Sequence, residues 1–190
     1  MIRSTVKIII IIFLIQGCFF YSMRGSLPVH INSISLAPVI NESAEFAVAE
    51  ILNDELNELM VSENVLDIVM PEQADSRLEV VIFSVTDKPY TVSLSSDYGM
   101  EEVEEWKLTI KTTVTWYDVK RDEVLLEKKM SSWGSYLPGV DISTDGIDND
   151  GDNLTDSEDS DEVGSPRESA LSISVRRLTE DIVNEITNTW

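Results

Sequence analysis

The sequence predicts an α+β fold, with two helices packed on one face of a four-stranded, mostly antiparallel sheet in the order β-α-β-β-β-α. Three observations predict it. Two segments carry a single apolar stripe at helical spacing, one near each end of the chain. Between them lie segments that alternate apolar and polar residues, as half-buried strands do. Both kinds of element have one dry side, and the simplest way to bury all of them together is a two-layer stack.

The first strand is read from Ile31, Ile34, Leu36 and Val39, ending at Pro38. Asn41-Glu42-Ser43 follows with helix-start chemistry, Ser43 as the cap and Glu45 in the first turn. From Ala44 to Met60, Phe46, Ala49, Leu52, Leu56 and Leu59 recur at spacings of three and four, an amphipathic stripe. Val65 to Met70 reads as a short strand stopped by Pro71. Arg77 to Val85 alternates, with Leu78, Val80 and Ile82 on one face. Pro89 cannot donate to a ladder, so a bulge or an edge is expected there.

Glu105 to Val119 is the clearest strand. Leu108, Ile110, Thr112, Val114 and Trp116 form its dry face, and Lys107, Thr109, Lys111, Thr113 and Tyr117 its wet one. Lys120-Arg121-Asp122-Glu123 makes a hairpin turn, and Val124 to Trp133 returns as the partner strand. The last helix opens on a capping box: Ser165 as cap, Pro166 in the first helical position, Glu168 three residues after the cap. Leu171, Val175, Leu178, Ile182 and Ile186 form its stripe, and it should run to about Asn188.

The first residues are of a different kind. Arg3 and Lys7 precede the apolar run Ile8 to Ile15, which is too short to span a bilayer as a helix but has the length of a signal-peptide core. Ile15-Gln16-Gly17-Cys18 resembles the bacterial lipobox, whose small residue admits the peptidase beside the scissile bond and whose cysteine thiol takes the lipid. The expected organisation is a lipoprotein signal peptide at residues 1–17, a lipidated tether at 18–29 and a single α+β domain at 30–190. Cys18 would carry diacylglycerol, with acyl chains such as palmitate. Several acyl chains, at about 0.8 kcal/mol per buried CH₂, hold a protein on a membrane stably. Phe19 stands where an inner-membrane retention signal would carry aspartate, so an outer-membrane location is expected.

The formal charge is -21, with 35 acids against 14 bases. That balance excludes a nucleic-acid groove, and it means that an anionic lipid head group could be bound only through a local basic patch or bridging cations. One cysteine excludes an intramolecular disulfide. His30, the single histidine, cannot build a zinc site and has no nucleophile beside it in sequence, so it reads as a satisfied or exposed side chain. No catalytic site is read.

Cys18, the segment Tyr21-Ser22-Met23-Arg24-Gly25-Ser26-Leu27-Pro28, the strand with Ile34 and Leu36, Asn41 before a helix, and the final helix with Leu178-Thr179-Glu180-Asp181-Ile182-Val183 closing on Trp190 together resemble the LptE-type lipopolysaccharide-assembly lipoproteins, in the form found outside the proteobacteria. The resemblance implies a non-enzymatic plug and assembly partner of a large LptD-type outer-membrane β-barrel, which helps lipopolysaccharide reach the cell surface. It carries over Cys18 as the anchor and no lipopolysaccharide contacts. Lys107, Lys111, Lys120 and Arg121 are the positive candidates, against the simpler reading of a solvated strand face. A scaffold or pilot lipoprotein of another envelope machine and a calcium-dependent envelope binder are the competing readings.

Residues 141–163 depart from that pattern as an acidic insertion with ten acids and no base. Its core resembles the Asp-rich calcium repeats of thrombospondin-type and EF-loop proteins. Asp148, Asp150, Asp152, Asp156 and Asp159 stand at relative positions 1, 3, 5, 9 and 12. Such spacing lets a turning loop aim several oxygens at one hard cation. Asn153 replaces the usual glycine and Asp159 the usual longer glutamate. The expected Ca²⁺ affinity is weak, about 10⁻⁴–10⁻³ M; the alternative is a solvated acidic loop.

Overall fold

The structure is a computed structural model that describes residues 27–94, 101–138 and 165–188. Its elements are β1 (Ser33–Leu36), β2 (Ile40–Asn41), α1 (Val48–Glu63), β3 (Asp67–Ile68), β4 (Ser76–Leu94), β5 (Glu101–Asp118), β6 (Glu123–Tyr136) and α2 (Pro166–Asn188).

The two-helix, one-sheet stack is present, and the sheet is larger and more mixed than expected. Six strands form one sheet in the order β3-β1-β4-β5-β6, with β2 also pairing with β4. β1 runs parallel to both β3 and β4, and β2 runs parallel to β4. The pairs β4–β5 and β5–β6 are antiparallel. This corrects the expectation of four mostly antiparallel strands. The physical reason is α1: a strand followed by a crossover helix returns to the same sheet in parallel.

β1 and β2 are one strand with a break. Leu36 is opposite Leu78 and Ile40 is opposite Val81, so four steps on one chain match three on the other. Ala37 N–H donates to Leu78 O at 2.9 Å and Glu42 N–H to Ile82 O at 2.8 Å, on either side of Pro38, which has no N–H to give.

α1 starts later than expected. Its N-cap is Ala47, without a side-chain cap, and Ser43 lies outside the helix. Ser43 N–H and Oγ–H donate to Asn41 Oδ1, and Glu45 N–H donates to Ser43 Oγ at 3.3 Å. The polar residues that suggested a cap instead fold the turn between β2 and α1. Phe46 consequently falls outside the buried stripe, at 90 % exposure, and the stripe is Val48, Leu52, Leu56 and Met60. Asn64 ends the helix in the left-handed conformation (φ 49°) and donates its N–H to Met60 O.

β3 is shorter than read, Asp67–Ile68, and β4 runs on past Val85 to Leu94, while β5, β6 and α2 follow the sequence reading more closely. Leu108, Ile110, Thr112, Val114 and Trp116 are fully buried under the helices. The ladder between β4 and β5 is irregular around Pro89, as its missing donor requires. In α2, Ser165 N–H donates to the Glu168 carboxylate at 2.8 Å and Glu168 N–H to Ser165 Oγ at 3.4 Å, which is the capping box. Leu171, Val175, Leu178, Ile182 and Ile186 are buried against α1 and the sheet in one continuous core. Leu27, at the start of the described residues, already packs partly against that core. No helix among the described residues is long and apolar enough to cross a membrane.

Candidate interaction surfaces

The helices cover one face of the sheet. Among the described residues nothing covers the other face of β4–β5–β6, and strand alternation decides which side chains it carries. On β5 these are Lys107, Thr109, Lys111, Thr113 and Tyr117, the wet set read from the sequence. Register then places neighbours beside them. Lys88 is directly opposite Lys107, Ser84 and Ser131 flank Lys111, Lys129 is opposite Thr113, and Trp133 is opposite Thr109.

At one end of this face three side chains make a stack. The Lys107 ammonium lies 4.0 Å from the centroid of a Trp133 ring and 5.3 Å from that of Tyr90. The Tyr90 and Trp133 rings are 5.7 Å apart and tilted by 44°. One strand supplies each member, so the stack ties β4, β5 and β6 together on the outside through cation–π attraction. Thr91 Oγ1 donates to the Glu105 carboxylate at 3.2 Å beside it.

Two ionic clusters sit elsewhere. At the β5–β6 turn, the buried Asp118 carboxylate lies 2.5 Å from His30 Nε2 and accepts the amides of Lys120 and Arg121 at 2.9 and 3.0 Å. Burial pushes the Asp118 carboxyl up. Hydrogen bonds from His30 and from the Arg121 and Lys120 amides outweigh it, and its pKa falls below the ordinary carboxylate value. Asp75 is held by the Lys120 ammonium and the Asn32 amide against its own burial, and its pKa is lowered to about 2. Ser33 adds its N–H to Asp75 and accepts the Asp75 N–H on its hydroxyl. These two carboxylates clasp the chain entering β1 to the β5–β6 hairpin.

At the other cluster, Arg167 in the first turn of α2 pairs with Glu45 at 2.8 Å and with Asp87 at 3.0 Å. Tyr136 donates its hydroxyl to the second Asp87 oxygen at 3.1 Å. Burial and then Asp87 raise the Tyr136 pKa. Burial works against the charge on Arg167, but its hydrogen bonds to Asp87 and Glu45 prevail and raise its pKa. One guanidinium thereby joins the turn before α1, the middle of β4, the end of β6 and the start of α2.

Of the residues singled out in the sequence, Lys107 and Lys111 lie together on the open face. Lys120 and Arg121 do not join them: Lys120 is bound to Asp75, and Arg121 Nε is 3.8 Å from Asp118. His30 is the satisfied histidine expected. Cys18 and the five loop aspartates, Asp148, Asp150, Asp152, Asp156 and Asp159, lie outside the described residues. Among the described residues, no group of three or more His, Cys, Asp or Glu side chains is arranged to hold a metal. Sequence reasoning missed the aromatic–lysine stack and both carboxylate clasps. The stack had a signal, since Trp133 alternates into the outward set of β6. Asp75 had none, because its partners come from 42 or more positions away; the link from Asp118 to His30 spans 88 positions, and only its contacts with the Lys120 and Arg121 amides are local.

The model of the LptE family, described as lipopolysaccharide-assembly, matches residues 31–189. The chain belongs to the LptE family. The match begins one residue after His30 and runs through both helices and all six strands, so the whole described fold is the family's domain. No match was found among curated protein sequences.

Solved structures resemble this LptE-family chain at low identity. The hypothetical protein CT253 from Chlamydia trachomatis is 12 % identical with a TM-score of 0.53, over 83 % of this chain and 96 % of that one. A minor lipoprotein from Acinetobacter baumannii is 11 % identical with a TM-score of 0.44, over 83 % and 93 %. PelC from Paraburkholderia phytofirmans is 11 % identical with a TM-score of 0.47, over 86 % and 94 %. Of these three, CT253 alone reaches a score at which the fold is shared.

Proposed function

We propose that this LptE-family chain is an outer-membrane lipoprotein, held on the periplasmic side by acyl chains on Cys18, that acts as plug and assembly partner of an LptD-type β-barrel in carrying lipopolysaccharide to the surface. The observation that carries this reading is the family match over residues 31–189, which spans the domain from the first strand to the last helix. The export signal and lipobox ahead of it support the location. The role is one of binding and assembly. Depletion in the living cell tests it. The reading expects newly made lipopolysaccharide to accumulate in the inner membrane or periplasm, and normal surface delivery after depletion would exclude it.

The acidic residues 141–163 suggest an addition to that role. Ca²⁺ held by Asp148, Asp150, Asp152, Asp156 and Asp159 would neutralise carboxylates that otherwise repel one another, shortly before the capping box of α2. The spacing of those five residues supports this.

A further inference from the structure

The open face of β4–β5–β6 breaks two local rules at once. Lys88 and Lys107 stand directly opposite each other across β4 and β5, and like charges in that position are destabilising. Lys111 and Lys129 continue the positive row, Lys129 opposite the Thr113 that follows Lys111 on the same face. Among the described residues, Lys88, Lys111 and Lys129 form no ion pair, although the chain has 35 acids to offer against 14 bases. One paired cation, Arg77 with Glu79, lies on this face at its far end, opposite Tyr117 and Thr115; the others lie elsewhere, Lys120 at the hairpin clasp, Lys128 against Glu185 and Arg167 against Glu45 and Asp87. A strongly acidic protein has gathered four lysines on one flat face; Glu105 follows Lys107 and Glu127 follows Lys129 along that face, while Lys88 and Lys111 have only Lys107, Tyr90, serines and threonines as same-face neighbours.

The same face carries exposed aromatic side chains. Tyr90 is 50 % exposed and Trp133 39 %, and both stand beside Lys107. Tyrosine and tryptophan with lysine are the side chains that settle at a membrane–water interface, rings at head-group depth and ammonium groups on the phosphates. Hydroxyls from Ser84, Thr109, Thr113 and Ser131 fill the spaces between the lysines.

We infer that this face docks on an anionic phospholipid surface, with Lys88, Lys107, Lys111 and Lys129 on the head-group phosphates and Tyr90 and Trp133 at head-group depth. The face supplies the local basic patch that a chain of charge -21 needs for such a contact. Joined to a lipid anchor, it is the second of the two signals that stable, oriented membrane attachment uses. The occupant is the bilayer surface rather than a single phosphate, because the lysines form a row on a sheet without an enclosing wall.

The test is partition of the full-length chain onto vesicles of phosphatidylglycerol with phosphatidylcholine and onto vesicles of phosphatidylcholine alone. Any acyl chain inserts in both, so the ratio of the two affinities isolates the charged face. Replacing Lys107, Lys111 and Lys129 together by Gln should lower that ratio by roughly five-fold per lysine, on the order of a hundred-fold in all at low salt. K128Q, which removes a lysine bonded to Glu185, should leave it unchanged, and replacement of the three lysines by Arg should preserve it. If the triple variant does not fold, K111Q with K129Q carries the same test at roughly twenty-five-fold.

An unchanged ratio in a folded variant overturns the inference. So does an equal drop from K128Q. So does release by inorganic phosphate beyond that of chloride at equal ionic strength, which would mark a small-anion site. No barrel is present in this assay, so its failure leaves the barrel partnership standing, and loss of the barrel partnership leaves this result standing.

Discussion

Gly134 of β6 lies against the backbone of Ala170 in α2, so closely that a Cβ on Gly134 would be 2.5 Å from the Ala170 carbonyl oxygen and 3.0 Å from Ser174 Oγ. That oxygen already accepts the Ser174 hydroxyl. The helix rests on the strand at this point because no side chain intervenes. Gly134→Ala must therefore push α2 away from the sheet, at a cost of about 1–3 kcal/mol. Urea unfolding should register it, while Ser135→Ala, one residue on and facing outward, should stay within about 0.5 kcal/mol of the parent.

The clasp at the β5–β6 turn makes stability depend on acid. Asp75 has a folded pKa of about 2 against an ordinary 3.8, and Asp118 is lowered as well. A carboxylate whose pKa is depressed on folding contributes fully above its unfolded value, and that contribution is lost as pH falls through the folded one. The window is thus from near 3.8 down to about 2, and Asp75 accounts for up to about 2 kcal/mol across it. Unfolding free energies measured down this range should fall for the parent and fall less steeply for Asp75→Asn. Parallel slopes would remove Asp75 from the account.

His30→Ala leaves the buried Asp118 charge with two backbone amides and the more distant Arg121 guanidinium. Breaking a buried pair from one side costs up to about 3–5 kcal/mol; the half-buried imidazole puts this case lower, at about 1–3 kcal/mol. Replacing Arg167 by Met takes the cation from both Glu45 and Asp87, leaving Asp87 the Tyr136 hydroxyl, and should cost a similar amount. Because the two clusters share no residue, the double variant should show additive losses in urea unfolding.

The calcium expectation for residues 141–163 is tested by titration calorimetry. A heat of binding at about 10⁻⁴–10⁻³ M Ca²⁺ that disappears on Asp148→Ala with Asp150→Ala supports it, and no heat in the parent rejects it.

The parts of this fold that local pattern encodes were legible in the sequence. The alternation of Leu108 to Trp116 predicted a buried strand face, and the spacing from Leu171 to Ile186 predicted α2, because one side of each element is dry for its whole length. The capping box was equally legible, since Ser165 and Glu168 act on each other's backbone. What failed depended on distant partners. Ser43 looks like a helix cap, but Asn41 draws it into a turn, and α1 starts at Val48. The parallel placement of β1 against β4 depends on where the crossover helix sets the chain down. Lys120 and Lys111 look alike in sequence; one finds Asp75, in the bend before β4, and the other remains on the open face.

The central claim is partnership with a large outer-membrane β-barrel, and isolating the chain from its own envelope in mild detergent tests it most directly. A stoichiometric complex with a single large barrel protein, heat-dissociable and carrying the acylated chain, is the predicted result. Recovery of the chain alone, or with inner-membrane partners and no barrel, would contradict it.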